Sequence, residues 1–209
     1  MASGKYRLYG RRGAGSLAPQ ILLEEIGAAY ELLWFDKTPA DLEALRRINP
    51  AGKIPSLVLP DGTAVAESAA ILIHLTNAHP QAGLAPPAGS SAHARFLQWM
   101  VFLSASLYEA ALRYFYAERY ATTAAAAPAI KAQALKDYGA HLERVHDELS
   151  PFVLGDRLSA ADPYLHMLAG WYPEQEAPLA SRLPKLAQHA ERLRRRPATL
   201  KAERDHAEN

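Results

Sequence analysis

The sequence predicts a chain of two parts: a small α/β unit, then an all-helical one. Three observations carry this. The opening eighty residues switch between strand-like runs and helical spacing in the order β-α-β-α-β-β-α. Residues 80–91, PQAGLAPPAGSS, are rich in Pro, Gly and Ser and read as a linker. No convincing strand follows, only long segments with helical spacing. The expected domains are therefore 1–79, a linker at 80–91, and 92–209.

The elements follow in order. YRLY, residues 6–9, is a short strand. Residues 17–28 form a helix whose Leu17, Ile21, Leu22 and Ile26 share a face, with Gly27 near its end. Residues 30–35 are a second strand. Thr38 is a plausible cap and Pro39 a first-turn residue for a helix reaching about Ile48. IPSLVL, the Pro60-Asp61-Gly62 turn and TAVA form a hairpin, and a helix runs from Glu67 to Asn77. In the second part, helices are expected at about 92–120, 129–149, 159–172 and 184–195.

Bulk properties exclude several classes. The chain has 209 residues, 49% of them hydrophobic and 22% charged, which suits a globular protein with a substantial core. The net charge of +1 gives no field to collect nucleic acid or anionic lipid. Arg192 to Arg196 reads as a solvated helix C-terminus suited to the helix dipole, with no aromatic residues interleaved for nucleic-acid binding. No apolar run approaches a membrane span, and MASGKYRLYG lacks a signal-peptide apolar region. With no cysteine, disulfides, thiolate metal sites and a cysteine nucleophile are excluded. These features point to the cytoplasm.

Gly13-Ala14-Gly15-Ser16-Leu17-Ala18 matches G-x-G-x-x-A, and Asp36 lies at a suitable distance for a ribose-binding acid. A dinucleotide domain needs several parallel strands, however, and only one βαβ unit is available here. The next two strands are joined by Asp61-Gly62 and must be antiparallel. Asp36 then simply closes a strand.

The more informative stretch is Asn49-Pro50-Ala51-Gly52-Lys53-Ile54-Pro55-Ser56-Leu57, followed by Glu67-Ser68-Ala69-Ala70-Ile71. Asn49 to Gly52 is a turn. Pro55 heads a strand, where its missing N–H leaves a ladder position open, and Ile54-Pro55 permits a cis bond. Glu67-Ser68 opens a helix, whose N-terminal N–H groups suit a carboxylate, and the glutamate suits an ammonium group. The same two residues also read as a simple cap and a first-turn acid.

N-P-x-G-x-I-P-x-L, an Asp-Gly hairpin and E-S-x-A-I together resemble the cytosolic glutathione transferases. The resemblance runs over nearly the whole chain. It implies a thioredoxin-like βαβαββα domain and an all-α second domain. Gly155 to Asp162 is similar to that family's capping box, with Ser159 capping and Asp162 returning a bond to the Ser159 N–H. The Pro184 to Ala198 segment is similar to the family's closing helix.

By this resemblance glutathione is the co-substrate, with no permanently bound cofactor and no metal. Glu67 and Ser68 match the positions that hold the γ-glutamyl ammonium and carboxylate. Ile54, before the family's cis proline at Pro55, would pair its backbone with the cysteinyl residue like an added strand. Lys53 and Lys37 are candidates for the glycyl carboxylate, Lys37 also reading as a surface lysine. Ser16 stands where a hydroxyl would donate to the thiolate and ranks first, its other reading being a helix cap. Backbone N–H groups around Gly15 and Ser16 rank second, Tyr9 third. GAGSLA resembles the loop of the bacterial beta class, but Gly15 stands where that class carries cysteine.

The electrophile pocket is expected from Tyr108, Leu112, Arg113, Phe115, Tyr116 and Trp171, which could equally be bundle core. Helical spacing puts Tyr108, Leu112 and Phe115 on one face, continued by Tyr116 and Tyr120, with Tyr114 elsewhere. Three readings follow. The first is a transferase acting on small hydrophobic electrophiles, homodimeric as the family usually is. The second is a protein that holds glutathione or apolar ligands without turnover. The third is a regulatory dimer of the same fold. A maleylacetoacetate-type isomerase fits less well, because its serine- and cysteine-rich loop is absent.

Overall fold

The structure is a computed structural model that describes residues 4–36, 38–173 and 178–207. The chain divides into two compact units, Met1–Ala85 with Leu193–Asn209, and Pro86–Arg192.

The first unit is built on a four-stranded sheet in the order β2-β1-β3-β4. Strands β1 (Tyr6–Gly10) and β2 (Tyr30–Trp34) are parallel and flank α1 (Leu17–Ile26) in sequence. Strands β3 (Ser56–Val58) and β4 (Ala64–Ala66) are antiparallel, and β3 also runs antiparallel to β1. Among the described residues only the β1–β2 pair is parallel, and the Asp61-Gly62 hairpin accounts for the antiparallel β3–β4 pair. Gly62 takes φ 93°, and the Asp61 carboxylate accepts from Thr63 N–H at 2.8 Å. The helices α2 (Pro39–Ile48) and α3 (Ser68–Ala78) complete the βαβαββα order, between and after these pairs.

Local chemistry explains the helix ends. Gly27, at φ 71°, closes α1 and donates to the Leu23 and Glu24 carbonyls. Thr38 and Asp41 form a reciprocal capping box on α2, with Pro39 in the first turn. The core holds Leu8, Ile21, Leu22, Leu57, Ile71 and Leu75, all buried.

The last helix, α10 (Pro197–Ala207), belongs to this first unit, although the sequence grouped it with the helical half. It lies antiparallel along α1. Arg196 forks onto Glu25 at 2.5 and 2.7 Å, Lys201 pairs with Glu24, and Asp205 accepts from Gln20 at 2.6 Å. Arg196, expected to be solvated, is thus held in a bidentate ion pair.

The second unit contains α4 (Ser91–Phe102), α5 (Glu109–Phe115), α6 (Ala127–Glu148), α7 (Ala161–Gly170), α8 (Leu179–Arg182) and most of α9 (Pro184–Arg194). The helix expected over 92–120 contains a π-helical segment at Leu103–Tyr108 and stops at Phe115, where Tyr116 leaves helical geometry at φ −133°. Trp99, Phe96, Tyr138 and Tyr164 are the largest buried side chains of this unit.

The Ser159–Asp162 motif differs in detail from its expected form. Asp162 does accept from Ser159 N–H at 2.7 Å. The Ser159 hydroxyl, however, donates to that carboxylate at 3.0 Å instead of capping the helix. Asp162 also accepts from Val153 N–H at 2.8 Å and His189 Nε2 at 3.0 Å. Four donors compensate a fully buried carboxylate, which ties α7, α9 and the preceding loop together. Among the described residues no helix is long and apolar enough to cross a membrane.

Candidate functional site

The sheet register assembles the site in the first unit. Tyr9 pairs with Ser56, and Ser56 with Ala66. Three segments therefore meet at one end of the sheet: the loop after β1, Ile54-Pro55 before β3, and Glu67-Ser68 after β4. Residues scattered over sixty positions become neighbours because two strands end where a third begins.

The Glu67-Ser68 corner is the most constrained of the three. Glu67 is exposed and has φ 67° and ψ 118°, a positive φ that glutamate adopts only at a cost of order 1 kcal/mol. It is the one non-glycine residue with positive φ among those described. Ser68 follows at the first turn of α3, 4% exposed, and its Oγ is buried with no hydrogen-bond partner. Neither side chain makes a capping bond. The capping alternative is therefore absent here, and the hydroxyl is left beside the unpaired first-turn N–H groups of a helix.

The Ile54-Pro55 bond is cis. Strand pairing begins at Ser56 instead of Ile54, since Pro55 has no N–H to give a ladder. Asn49 holds this bend. Its Nδ2 donates to the Lys53 carbonyl at 2.8 Å and to Ser56 Oγ at 3.2 Å, while its Oδ1 accepts from Ala51 N–H at 3.1 Å. Ser56 Oγ also donates to the Lys53 carbonyl at 3.0 Å. Lys53 itself is exposed and Ile54 half-buried. Lys37 lies outside the described residues.

Ser16 occupies an unexpected place. It is 0% exposed. Its hydroxyl accepts from Arg11 N–H at 3.1 Å and donates to the Arg11 carbonyl at 3.2 Å. It fills the space left by the missing side chain of Gly10, where a Cβ would come within 2.7 Å of Ser16 Oγ. In this structure the hydroxyl neither caps α1 nor reaches the surface. Tyr9 is half-buried and, by the strand period of two, points to the sheet face opposite Gly10. The two hydroxyls are therefore not neighbours.

In the second unit the expected pocket residues separate into groups. The Tyr108 ring meets Trp171 at 5.4 Å and Tyr164 at 6.3 Å. Arg113 donates to Asp137 at 3.1 Å, and Leu112 is half-buried. Phe115 is 49% exposed, with its ring against Tyr114 at 5.0 Å. Tyr116 lies under the Arg119 guanidinium at 4.0 Å. Tyr120 does not continue the helical face, because the α-helix has already ended at Phe115. Tyr172 packs edge-on against Tyr138, whose hydroxyl donates to the Leu168 carbonyl. Burial raises the Tyr138 pKa, so it stays a neutral donor.

Sequence reasoning did not single out Asn49, Ser56 or Arg11. Asn49 had a signal, since a side-chain amide ahead of Pro50 can fold back on its own turn. Arg11 had none: only the fold brings both of its backbone groups onto Ser16.

The comparisons with known proteins agree with this architecture. The glutathione S-transferase N-terminal domain model matches residues 16–78, and the C-terminal domain model matches residues 106–202. Glutathione S-transferase GstA of Escherichia coli O157:H7 is 30% identical over 168 residues, covering 79% of this chain and 81% of that one. A sphingomonad glutathione S-transferase solved in complex with glutathione superposes with a TM-score of 0.83 at 32% identity, covering 97% of this chain and 100% of that one. The bacterial beta class enzyme of Sphingomonas chungbukensis gives 0.82 at 30% identity, covering 96% and 98%. The thioredoxin-like first domain, the helical second domain and these matches together make the chain a member of the glutathione S-transferase family.

Proposed function

We propose that the chain binds glutathione at the sheet end of its first unit and conjugates the sulfur to small hydrophobic electrophiles. The observation that carries this is the buried, unpartnered Ser68 hydroxyl at the start of α3, beside the strained Glu67. A buried polar group left unpaired costs roughly 1–3 kcal/mol, and a ligand carboxylate would relieve it. Glu67 answers the ligand's ammonium group and Lys53 its glycyl carboxylate. Ile54 offers backbone N–H and C=O to the cysteinyl residue. The sphingomonad relative solved with glutathione supports the reading.

The chemistry requires a thiolate, since a free thiol has a pKa near ~8.5 and only its ionised form attacks well. With Ser16 turned inward, stabilisation falls to the Gly15 and Ser16 backbone N–H groups at the start of α1. Sulfur then attacks the electrophilic carbon, and a leaving group such as chloride departs with the bond electrons. The functional form is a homodimer.

A second reading is favoured by that same inward hydroxyl and by the absence of cysteine: glutathione is held without turnover. Retention on immobilised glutathione, followed by conjugation of a chlorodinitrobenzene, separates the cases. We expect both retention and turnover. Retention without turnover on a broad panel of electrophiles leaves the second reading, and loss of retention removes both.

A further inference from the structure

The loop from Arg11 to Ser16 is tied down twice. Inside, Ser16 Oγ holds the Arg11 backbone. Outside, Gly13 N–H donates to His206 Nδ1 at 3.2 Å, across 193 positions of sequence. Gly13 stands at φ 63°, so its amide direction depends on a left-handed conformation that glycine holds weakly on its own. The histidine is fixed in turn. Its ring meets Trp34 edge-on at 5.1 Å, and the neighbouring Asp205 carboxylate holds Gln20 of α1 at 2.6 Å.

We propose that His206 is a positioning residue for the sulfur-handling loop, acting through its Nδ1 on Gly13 N–H and so aiming the backbone donors at the start of α1. This rests on the glutathione reading above. Because Gly13 donates, Nδ1 must carry a lone pair, so the neutral ring bears its proton on Nε2. That atom is buried with no partner. Burial holds the imidazole pKa down, to about 4, which keeps the accepting form throughout the neutral range. Of the charged groups facing it, Asp205 opposes that shift and Arg12 assists it. Arg12 itself sits over Trp34 at 4.6 Å and reaches Asp36 at 4.0 Å. Arg196, Lys201 and Asp205 anchor the helix to α1, and His206 extends that anchorage to the turn ahead of it.

Two substitutions separate the ring from the acceptor. His206→Phe keeps the aromatic contact with Trp34 and removes the acceptor. His206→Asn keeps an acceptor near the Nδ1 position and removes the ring. Two readouts on the full-length protein decide the matter. The first is amide hydrogen exchange at Gly13 without ligand. It should accelerate about tenfold in His206→Phe and stay near wild type in His206→Asn. The second is the thiol pKa of bound glutathione, followed by thiolate ultraviolet absorbance. It should rise by about one unit in His206→Phe and recover in His206→Asn, with glutathione affinity changed less than about threefold. Unchanged Gly13 exchange in His206→Phe overturns the tether. Faster exchange with an unchanged thiol pKa overturns the positioning role, as does a His206→Asn variant that behaves like His206→Phe. If the wild type binds no glutathione, the functional reading fails and the exchange data still decide the tether.

Discussion

Ser16 Oγ lies between the backbone N–H and carbonyl of Arg11, at 3.1 and 3.2 Å, in the space that Gly10 leaves empty. The side chain best placed in sequence to donate to a sulfur is instead the pin that shapes its own loop. Ser16→Ala should therefore lose about 1–2 kcal/mol of stability, because Arg11 N–H is left without its partner. The thiol pKa of bound glutathione should move by less than about half a unit, far less than removal of a direct donor would cause. Urea unfolding and a pH titration of the bound thiol measure the two effects.

Gly10→Ala tests the same packing from the other side. The new Cβ would meet Ser16 Oγ at 2.7 Å and Ser16 Cβ at 2.8 Å. Both atoms belong to a fully buried residue that cannot swing aside. Overpacking of this kind costs about 1–3 kcal/mol. Thermal unfolding should show a lowered midpoint.

Ser68→Ala should separate stability from binding. Its hydroxyl is buried and unpaired in the absence of ligand, so deletion should leave the protein as stable as before or more so by up to about 1 kcal/mol. Glutathione affinity should fall about tenfold or more. Calorimetric titration alongside thermal unfolding checks both halves.

Asn49→Ala should act through the bend that carries Ile54. It removes bonds to the Lys53 carbonyl, Ser56 and Ala51 together, at a cost of about 1–3 kcal/mol. Affinity for glutathione should weaken even under conditions where the variant is fully folded. Unfolding curves and equilibrium binding on the same sample make the comparison.

His206 predicts a definite pH dependence. Its folded pKa, lowered to about 4, lies below its ordinary 6.5. As pH falls through 6.5, the unfolded chain takes up the proton first, so stability contributed by the neutral ring is present above 6.5 and drains away toward 4. The slope is at most about 1.4 kcal/mol per pH unit, from one proton. The stability gap between wild type and His206→Phe should narrow correspondingly between pH 7 and 5, as measured by urea unfolding.

Much of this molecule was legible from neighbouring residues alone. The element order, the Asp61-Gly62 hairpin, the Gly27 stop and the Thr38–Pro39 start all depend on interactions spanning only a few positions. Propensity, capping and turn chemistry act at that range. The break at Tyr116, the inward turn of Ser16 and the docking of α10 on α1 were decided by tertiary structure. Spacing assigns residues to a helix face only while the helix continues, and nothing local announces its end at Phe115. A serine at the head of a helix can point either way, and the missing side chain of Gly10 chose the inner one. The pairing of His206 with Gly13 had no local trace at all, because a hydrogen bond across 193 positions exists only once the sheet and both helices have formed.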